Sequence, residues 1–504
     1  MSEEFAKSAN DSYKPSQLRG SVVVAQHEQW QHKKITFHLF MFVVLSALGV
    51  VTPTSRTAAV VGAGPAGALT AIMLARRGWS VEIFDALPAP PAATDPSWGI
   101  GERSYQIGLN GRGQASLREF GAMARVEKFS AGVNGRLSFT KVDDPPASGK
   151  APAFTETRFK PPGTPGAEKT YVTRVLQRGR LQSCLLEEVA ESYPDSIRVT
   201  HGLSCVGVGL GGDRPTLTLR PCEPTGATDP SGESEGCDVD DSATRVEAFD
   251  LVVGADGVRS SVRDALCVAP GSTTRLVRYI DRNERRYKTI PFHPSDVEGT
   301  ASDLNWGYRN TSLDLGMDAL PTKEGSMVGV LLFKPSSPIH REMEAMADAA
   351  SARRFFESAM PPLVPYLRDD ELERFTQRPV SRLPSFSLVE GSIHRSLPSG
   401  GVVILGDAIK AVKPYFGQGA NSALEDVSVL RRCLEEASDN PAVAAAGFTA
   451  ARADCARALV RISRGFDGRG RLGTMRFVLP LLLDSQLHRL LPKLFTPPSA
   501  LPRT

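Results

Sequence analysis

Gly62-Ala63-Gly64-Pro65-Ala66-Gly67 forms a G-x-G-x-x-G set, and its surroundings narrow what the chain can fold into. A short apolar run, Ala58 to Val61, precedes it and reads as a buried strand. Leu69, Ile72, Met73 and Leu74 follow at helical spacing, and Gly78 stops the helix. Val81 to Phe84 is a second strand with Asp85 at its end. The unit reads as strand, turn, helix and strand with a terminal acid, the dinucleotide-binding arrangement. Gly62 serves the tight turn, Gly64 the approach of a pyrophosphate, and Gly67 the packing of helix on strand. Pro65 and Ala66 open the helix, whose free N–H groups and dipole favour phosphate. Asp85 is placed to accept hydrogen bonds from a ribose.

At 504 residues the chain has room for two or three domains. A net charge of +3 is too small for a nucleic-acid footprint. Seven scattered cysteines include no C-x-x-C pair, so they read as mostly free thiols without a zinc site. The dispersed histidines give no metal cluster either.

Residues 1–55 stand apart from the fold. The polar start reads as disordered, and Ile35 to Val51 is an apolar run preceded by His32-Lys33-Lys34. Three readings fit that run: the core of a cleaved targeting signal, an uncleaved anchor, or an apolar helix packed on the first domain. Membrane association or organellar targeting (endoplasmic reticulum, mitochondrion or plastid) is the corresponding expectation for location.

Two further buried strands end in glycine and acid. Phe249 to Val253 leads into Gly254-Ala255-Asp256-Gly257, and Val402 to Leu405 into Gly406-Asp407. A glycine-rich turn, Pro414-Tyr415-Phe416-Gly417-Gln418-Gly419-Ala420-Asn421, then precedes a long helix from Ser422 to about Ala437. Gly207 to Asp213 also looks glycine-rich, but the alternating strand after it makes it a hairpin turn. Alternating runs between 265 and 397 read as an antiparallel sheet.

Taken together, the three glycine–acid strand ends resemble the single-component FAD-dependent aromatic hydroxylases, the para-hydroxybenzoate hydroxylase-like superfamily. Within it, Arg103-Ser104, Leu109, Arg112-Gly113, Leu117, Arg136, Trp306 to Thr311 and Ala319-Leu320-Pro321 look most similar to the kynurenine 3-monooxygenases. Two departures stand out. Lys410 occupies the place of a usual histidine, and Phe159 to Gly163 offers no match for the family's carboxylate-holding tyrosine.

The resemblance implies an α/β fold: a Rossmann-like FAD-binding domain of the GR2 type, an inserted antiparallel-sheet substrate domain, and C-terminal helices. It divides the chain into 56–135, 171–264 and 398–455 for FAD, 136–170 and 265–397 for substrate, and a helical region at 456–504. It also implies FAD as cofactor and NADPH and O2 as co-substrates. The activity would be hydroxylation of an aromatic compound, L-kynurenine first, through a C4a-hydroperoxyflavin. The flavin carries the chemistry, so no side chain is expected to be catalytic.

Cofactor contacts are implied for Gly62, Gly64, Pro65, Ala66, Gly67, Asp85, Arg103, Arg178, Asp256, Gly257, Gly406, Asp407, Pro414, Gly417, Gln418, Gly419, Ala420 and Asn421. Substrate contacts are implied for Arg136, Tyr415, Phe416 and Asn421. Other functions stay open: an epoxidase or reductase acting on an isoprenoid or pigment at a membrane, and a flavin-binding protein without turnover.

Overall fold

The structure is a computed structural model. It describes residues 55–99, 106–139, 154–165, 167, 169–224, 237–239, 243–281, 283–414 and 417–466. The apolar run at 35–51, Arg103, Tyr415, Phe416 and the segment 467–504 lie outside the described residues.

A six-stranded sheet forms the first layer. Its order is β21 (His394–Leu397), β22 (Gly400–Ile404), β13 (Leu251–Gly254), β1 (Thr57–Val61), β2 (Ser80–Asp85), β8 (Ile197–His201). All pairings are parallel except β21 on β22. Runs such as Val252-Val253 and Val402-Val403 are fully buried, as strands covered on both faces must be. Helices α1 (Pro65–Arg76), α9 (Gln418–Glu436) and α10 (Pro441–Phe466) contribute to the same core. The helix expected from Ser422 begins four residues earlier, because Gly417 takes a left-handed conformation (φ 60°) and starts it at Gln418.

Strand pairing crosses the expected domain boundary at 397/398. β21 belongs to the parallel sheet, and β20 (Ser387–Glu390) pairs with both β14 (Arg275–Arg278) and β23 (Lys410–Ala411). The ends of the 265–397 segment are therefore stitched to strands on the FAD side. Three short strands, β3 (Gln106–Leu109), β4 (Ala131–Val133) and β7 (Thr173–Gln177), make a further small sheet. Near them lie α2 (Gly111–Glu119), α3 (Met123–Lys128) and α4 (Arg178–Ser192). β9 (Leu203–Gly209) and β10 (Thr216–Pro224) form the expected hairpin, extended by β11 (Cys237–Val239) and β12 (Arg245–Ala248). α5 (Ser261–Val268) follows β13.

The second layer is a seven-stranded sheet. Its order is β19 (Ser381–Arg382), β15 (Arg286–Phe292), β18 (Met327–Phe333), β17 (Leu315–Pro321), β16 (Asn305–Asn310), β5 (Gly135–Phe139), β6 (Phe154–Arg158). Only β5 on β16 is parallel. Alternation sorts its side chains onto two faces. Leu137, Phe139, Trp306, Met317, Leu331 and Phe333 pack with α6 (Pro338–Ala345), α7 (Ala349–Ala359) and α8 (Asp369–Gln377) into a core separate from the first. The opposite face carries Arg136, Arg309, Asp318, Leu320, Val330 and Leu332, none of them fully buried. The turn between β17 and β18 reaches the first layer, where Glu324 meets Arg180 of α4 at 2.5 Å.

Candidate active site

Three loops leave the carboxyl edge of the parallel sheet side by side. Val61, Gly254 and Ile404 are register partners, and Val61 also pairs with Phe84. Hydrogen bonds tie each loop to its neighbour: Gly62 N–H to Phe84 O (2.7 Å), Ala255 N–H to Val61 O (2.8 Å) and Leu405 N–H to Gly254 O (3.0 Å). The tight turns Gly257–Arg259 and Gly406–Ala408 pack on one another. Gly62 to Gly67, Asp85, Asp256-Gly257 and Gly406-Asp407 thus line one crevice outside the strand ends, where open α/β sheets bind ligands.

The glycine-rich turn shows how that crevice is shaped. Gly62 has φ 99°, and a methyl there would sit 2.6 Å from Ala255 O. A methyl on Gly67 would overlap Gly62 O, so helix and strand pack closely only with glycine. At Gly64 a methyl would meet no protein atom within 4 Å, so the space in front of it is open. Gly62, Gly64, Pro65 and Ala66 are partly exposed, while Gly67 to Leu74 are buried. No side chain caps α1, so its first N–H groups face that space unpaired with any cap. The start of α9 repeats the pattern: Gly417 to Ala420 are partly exposed, Asn421 to Leu424 are buried, and no side chain caps the helix.

Asp407 stands between these helix ends. Its neighbours Gly406 and Ala408 are buried, yet its own side chain has open surface in front of it. The protein walling it in pushes its carboxyl above the ordinary range; Arg178 and Lys410 pull it back, and Asp426 pushes it further up. Arg178, exposed at the start of α4, is near enough for its charge to act on Asp407. Two uncapped helix starts, an open glycine turn and an acceptor carboxylate on a cleft wall fit a dinucleotide with a polyhydroxyl linker.

Below the cleft is a buried ionic network. Asp426 has no exposed surface. One carboxylate oxygen accepts from Gly406 N–H (2.9 Å) and Lys410 Nζ (3.0 Å), and the other from Arg452 Nε (2.7 Å). Burial would raise the Asp426 carboxyl, but Lys410 and Arg452 outweigh it and hold it below the usual range. Lys410, the departure from the family pattern, is thus half of a buried pair that anchors the Gly406-Asp407 turn.

A family model described as FAD binding domain matches residues 367–463, which span Gly406, Asp407, Asp426 and Arg452. A kynurenine 3-monooxygenase of Salinispora arenicola is 29% identical over 464 residues, covering 87% of this chain and 86% of the relative. One of Stenotrophomonas maltophilia is 28% identical, with 89% and 87% covered. Among solved structures, 2-methyl-3-hydroxypyridine-5-carboxylic acid oxygenase superposes with a TM-score of 0.56 at 18% identity, over 89% of this chain and 95% of that one. The chain carries an FAD-binding domain and is similar over most of its length to kynurenine 3-monooxygenases.

Other expected site residues take more structural parts. Asp85 accepts from Ala63 N–H (2.6 Å) with one oxygen and from Leu87 N–H (2.8 Å) with the other, so it also braces the turn. Asp256 spends one oxygen capping α5, on Ser261 N–H (2.8 Å) and Val262 N–H (3.3 Å). Its other oxygen is buried and accepts no hydrogen bond, and burial raises its carboxyl.

Asn421, expected at both cofactor and substrate, makes its hydrogen bonds within the fold. It is 0% exposed, accepts from Asn110 N–H (2.9 Å), and donates to Gly108 O (2.8 Å) and Gly417 O (2.6 Å). Its amide is consumed in joining β3, α2 and α9, and cannot reach out of the fold. Gln418 accepts from Arg112, which also reaches Glu425 at 3.3 Å. Pro414 is partly exposed, and Lys413 beside it pairs with Asp281 (2.8 Å).

Arg136 lies on the second sheet, 53% exposed, over the Gly307 backbone and 3.8 Å from Asp318. Among the described residues it makes no contact with the cofactor cleft. Asp426 and Arg452 were not singled out from sequence. The available signal was an acid on the apolar stripe of α9, in line with Ser422 and Leu430.

Proposed function

We propose that this protein hydroxylates an aromatic α-amino acid, L-kynurenine first, using FAD, NADPH and O2. The observation that carries the reading is the shared crevice at the carboxyl edge of the parallel sheet, with Asp407 facing it and Arg178 near enough for its charge to act on that carboxylate. When bound, the flavin would supply the redox chemistry: oxidation of the reduced nicotinamide coupled to insertion of one oxygen atom of O2 into a ring C–H bond, the other leaving as water.

The chain's own residues hold and shield. The first turns of α1 and α9 offer N–H groups to anionic parts of the cofactor. Arg178 offers a charge-assisted donor to phosphate. Asp407 accepts from hydroxyl groups, and the Asp426 network fixes the turn that carries it. The apolar side chains Leu320, Val330 and Leu332 present a face from which water is easily displaced around an aromatic ring. Arg136 pairs with the substrate carboxylate. That charged face counts against a purely apolar isoprenoid.

The test is NADPH consumption and hydroxylated product measured with L-kynurenine. The Arg136→Ala variant should raise KM about tenfold or more, the worth of a hydrogen bond to a charged group. Unchanged kinetics in that variant would contradict the substrate assignment.

A further inference from the structure

Register places two kinds of surface on the face of the second sheet opposite α6, α7 and α8. Leu320 on β17 and Val330 and Leu332 on β18 make an apolar part, all three partly exposed. Arg136 on β5, Arg309 on β16 and Asp318 on β17 make a charged part beside it. Arg309 is committed: Nη1 donates to Tyr308 O (2.9 Å) and Met317 O (3.0 Å), and Nη2 to Asp318 Oδ2 (2.8 Å). Asp318 Oδ1 faces Arg136 Nη2 at 3.8 Å, too far for a hydrogen bond. Among the described residues, Arg136 and Asp318 Oδ1 are therefore an opposed pair with unspent capacity, 53% and 41% exposed. Glycines 307 and 316 leave room for both guanidinium groups to lie on the sheet, since a methyl at either would crowd an arginine at about 3 Å.

We infer that Arg136 and Asp318 together read a zwitterion, with Arg136 taking the carboxylate and Asp318 Oδ1 the α-ammonium of an amino-acid substrate. This rests on the proposed hydroxylation of an aromatic amino acid and adds to it the group that selects for the amine. The reasoning is one of complementarity. A ligand whose aromatic part covers Leu320, Val330 and Leu332 brings its polar head towards the charged part. There a carboxylate alone would satisfy Arg136 but would lie beside the Asp318 carboxylate, and like charges so placed repel. An ammonium on the adjacent carbon removes that repulsion. Asp318 acts as a specificity residue, set by Arg309, which holds its other oxygen.

The test compares L-kynurenine with its des-amino analogue, 4-(2-aminophenyl)-4-oxobutanoate, in the wild type, Asp318→Asn and Asp318→Glu. FAD content checks each variant's fold, and binding is read from flavin fluorescence as well as from KM. In Asp318→Asn the KM for kynurenine rises about two- to fivefold, the worth of a solvent-exposed charge pair. That for the des-amino acid falls or holds, and Asp318→Glu recovers part of the preference. An unchanged ratio between the two ligands overturns the inference while leaving the proposed reaction standing. If neither compound accelerates NADPH consumption in the wild type, the proposed reaction fails and takes the inference with it.

Discussion

Asp407 and Asp426, two carboxylates close together, have opposite tasks. Asp407 looks into the cleft, and burial raises its carboxyl; Asp426 lies beneath it, and Lys410 and Arg452 lower its carboxyl. Removing one partner of a buried pair leaves a charge without compensation, which costs about 3–5 kcal/mol. Asp426 keeps Arg452 in Lys410→Met, so that variant should lose less than this. The double variant Lys410→Met/Asp426→Asn leaves buried Arg452 with Glu425 alone and should lose more. Denaturant titration of the three proteins checks the order, and a double variant more stable than the single one would contradict it. Asp407→Ala should weaken FAD binding about tenfold or more through loss of charge-assisted hydrogen bonds, measured by fluorescence titration. Because its carboxyl is raised, FAD affinity in the wild type should also fall towards acid pH, and Asp407→Asn should flatten that fall.

At the level of elements, the second core contains a lysine where a hydrocarbon would fit. Lys288 on β15 is 1% exposed, with its ammonium over the Phe375 ring of α8 at 4.5 Å and Met343 O of α6 at 3.3 Å. Burial, helped by Arg378, lowers its pKa from 10.5 to about 8. The unfolded chain then holds a proton between pH 8 and 10.5 that the folded chain has released. Lys288 therefore costs no stability above pH 10.5, progressively more as pH falls to 8, and a constant amount below. Lys288→Met should raise stability at pH 7 by roughly 1–3 kcal/mol, with the gain vanishing near pH 10.5. Thermal unfolding of both proteins across that range reads it directly, and a gain independent of pH would point to packing alone.

The elements also show what could be read from the chain. The βαβ unit was legible because strand, helix and acid fall at local spacing. The hairpin after Leu203 was legible because Pro215 to Arg220 alternates. The start of α9 was misplaced because Gly417 and Gly419 resemble loop residues, and only the left-handed Gly417 shows where the helix begins. The internal hydrogen bonds of Asn421 were not legible, because its partners Gly108 and Asn110 lie some three hundred residues away in sequence. The side of a domain boundary on which β20 and β21 fall depends on pairings equally remote.

Across the whole molecule, the residues proposed for cofactor and for substrate sit on two sheets with separate cores. The crevice belongs to the parallel sheet, and the charged and apolar face belongs to the antiparallel one. Arg180–Glu324 ties the turn between β17 and β18 to α4 of the first layer. No helix among the described residues is long and apolar enough to cross a membrane. Loss of the crevice should abolish the cofactor without unfolding the second core, because the two cores share no side chains. The most direct measurement is the flavin content of the purified full-length chain by absorbance after reconstitution. The account predicts one FAD per chain, with tight binding lost when Gly64 is replaced by a bulky residue such as Ile. A protein that stays colourless with FAD in excess, or a Gly64→Ile variant that binds FAD as tightly as the wild type, would contradict it.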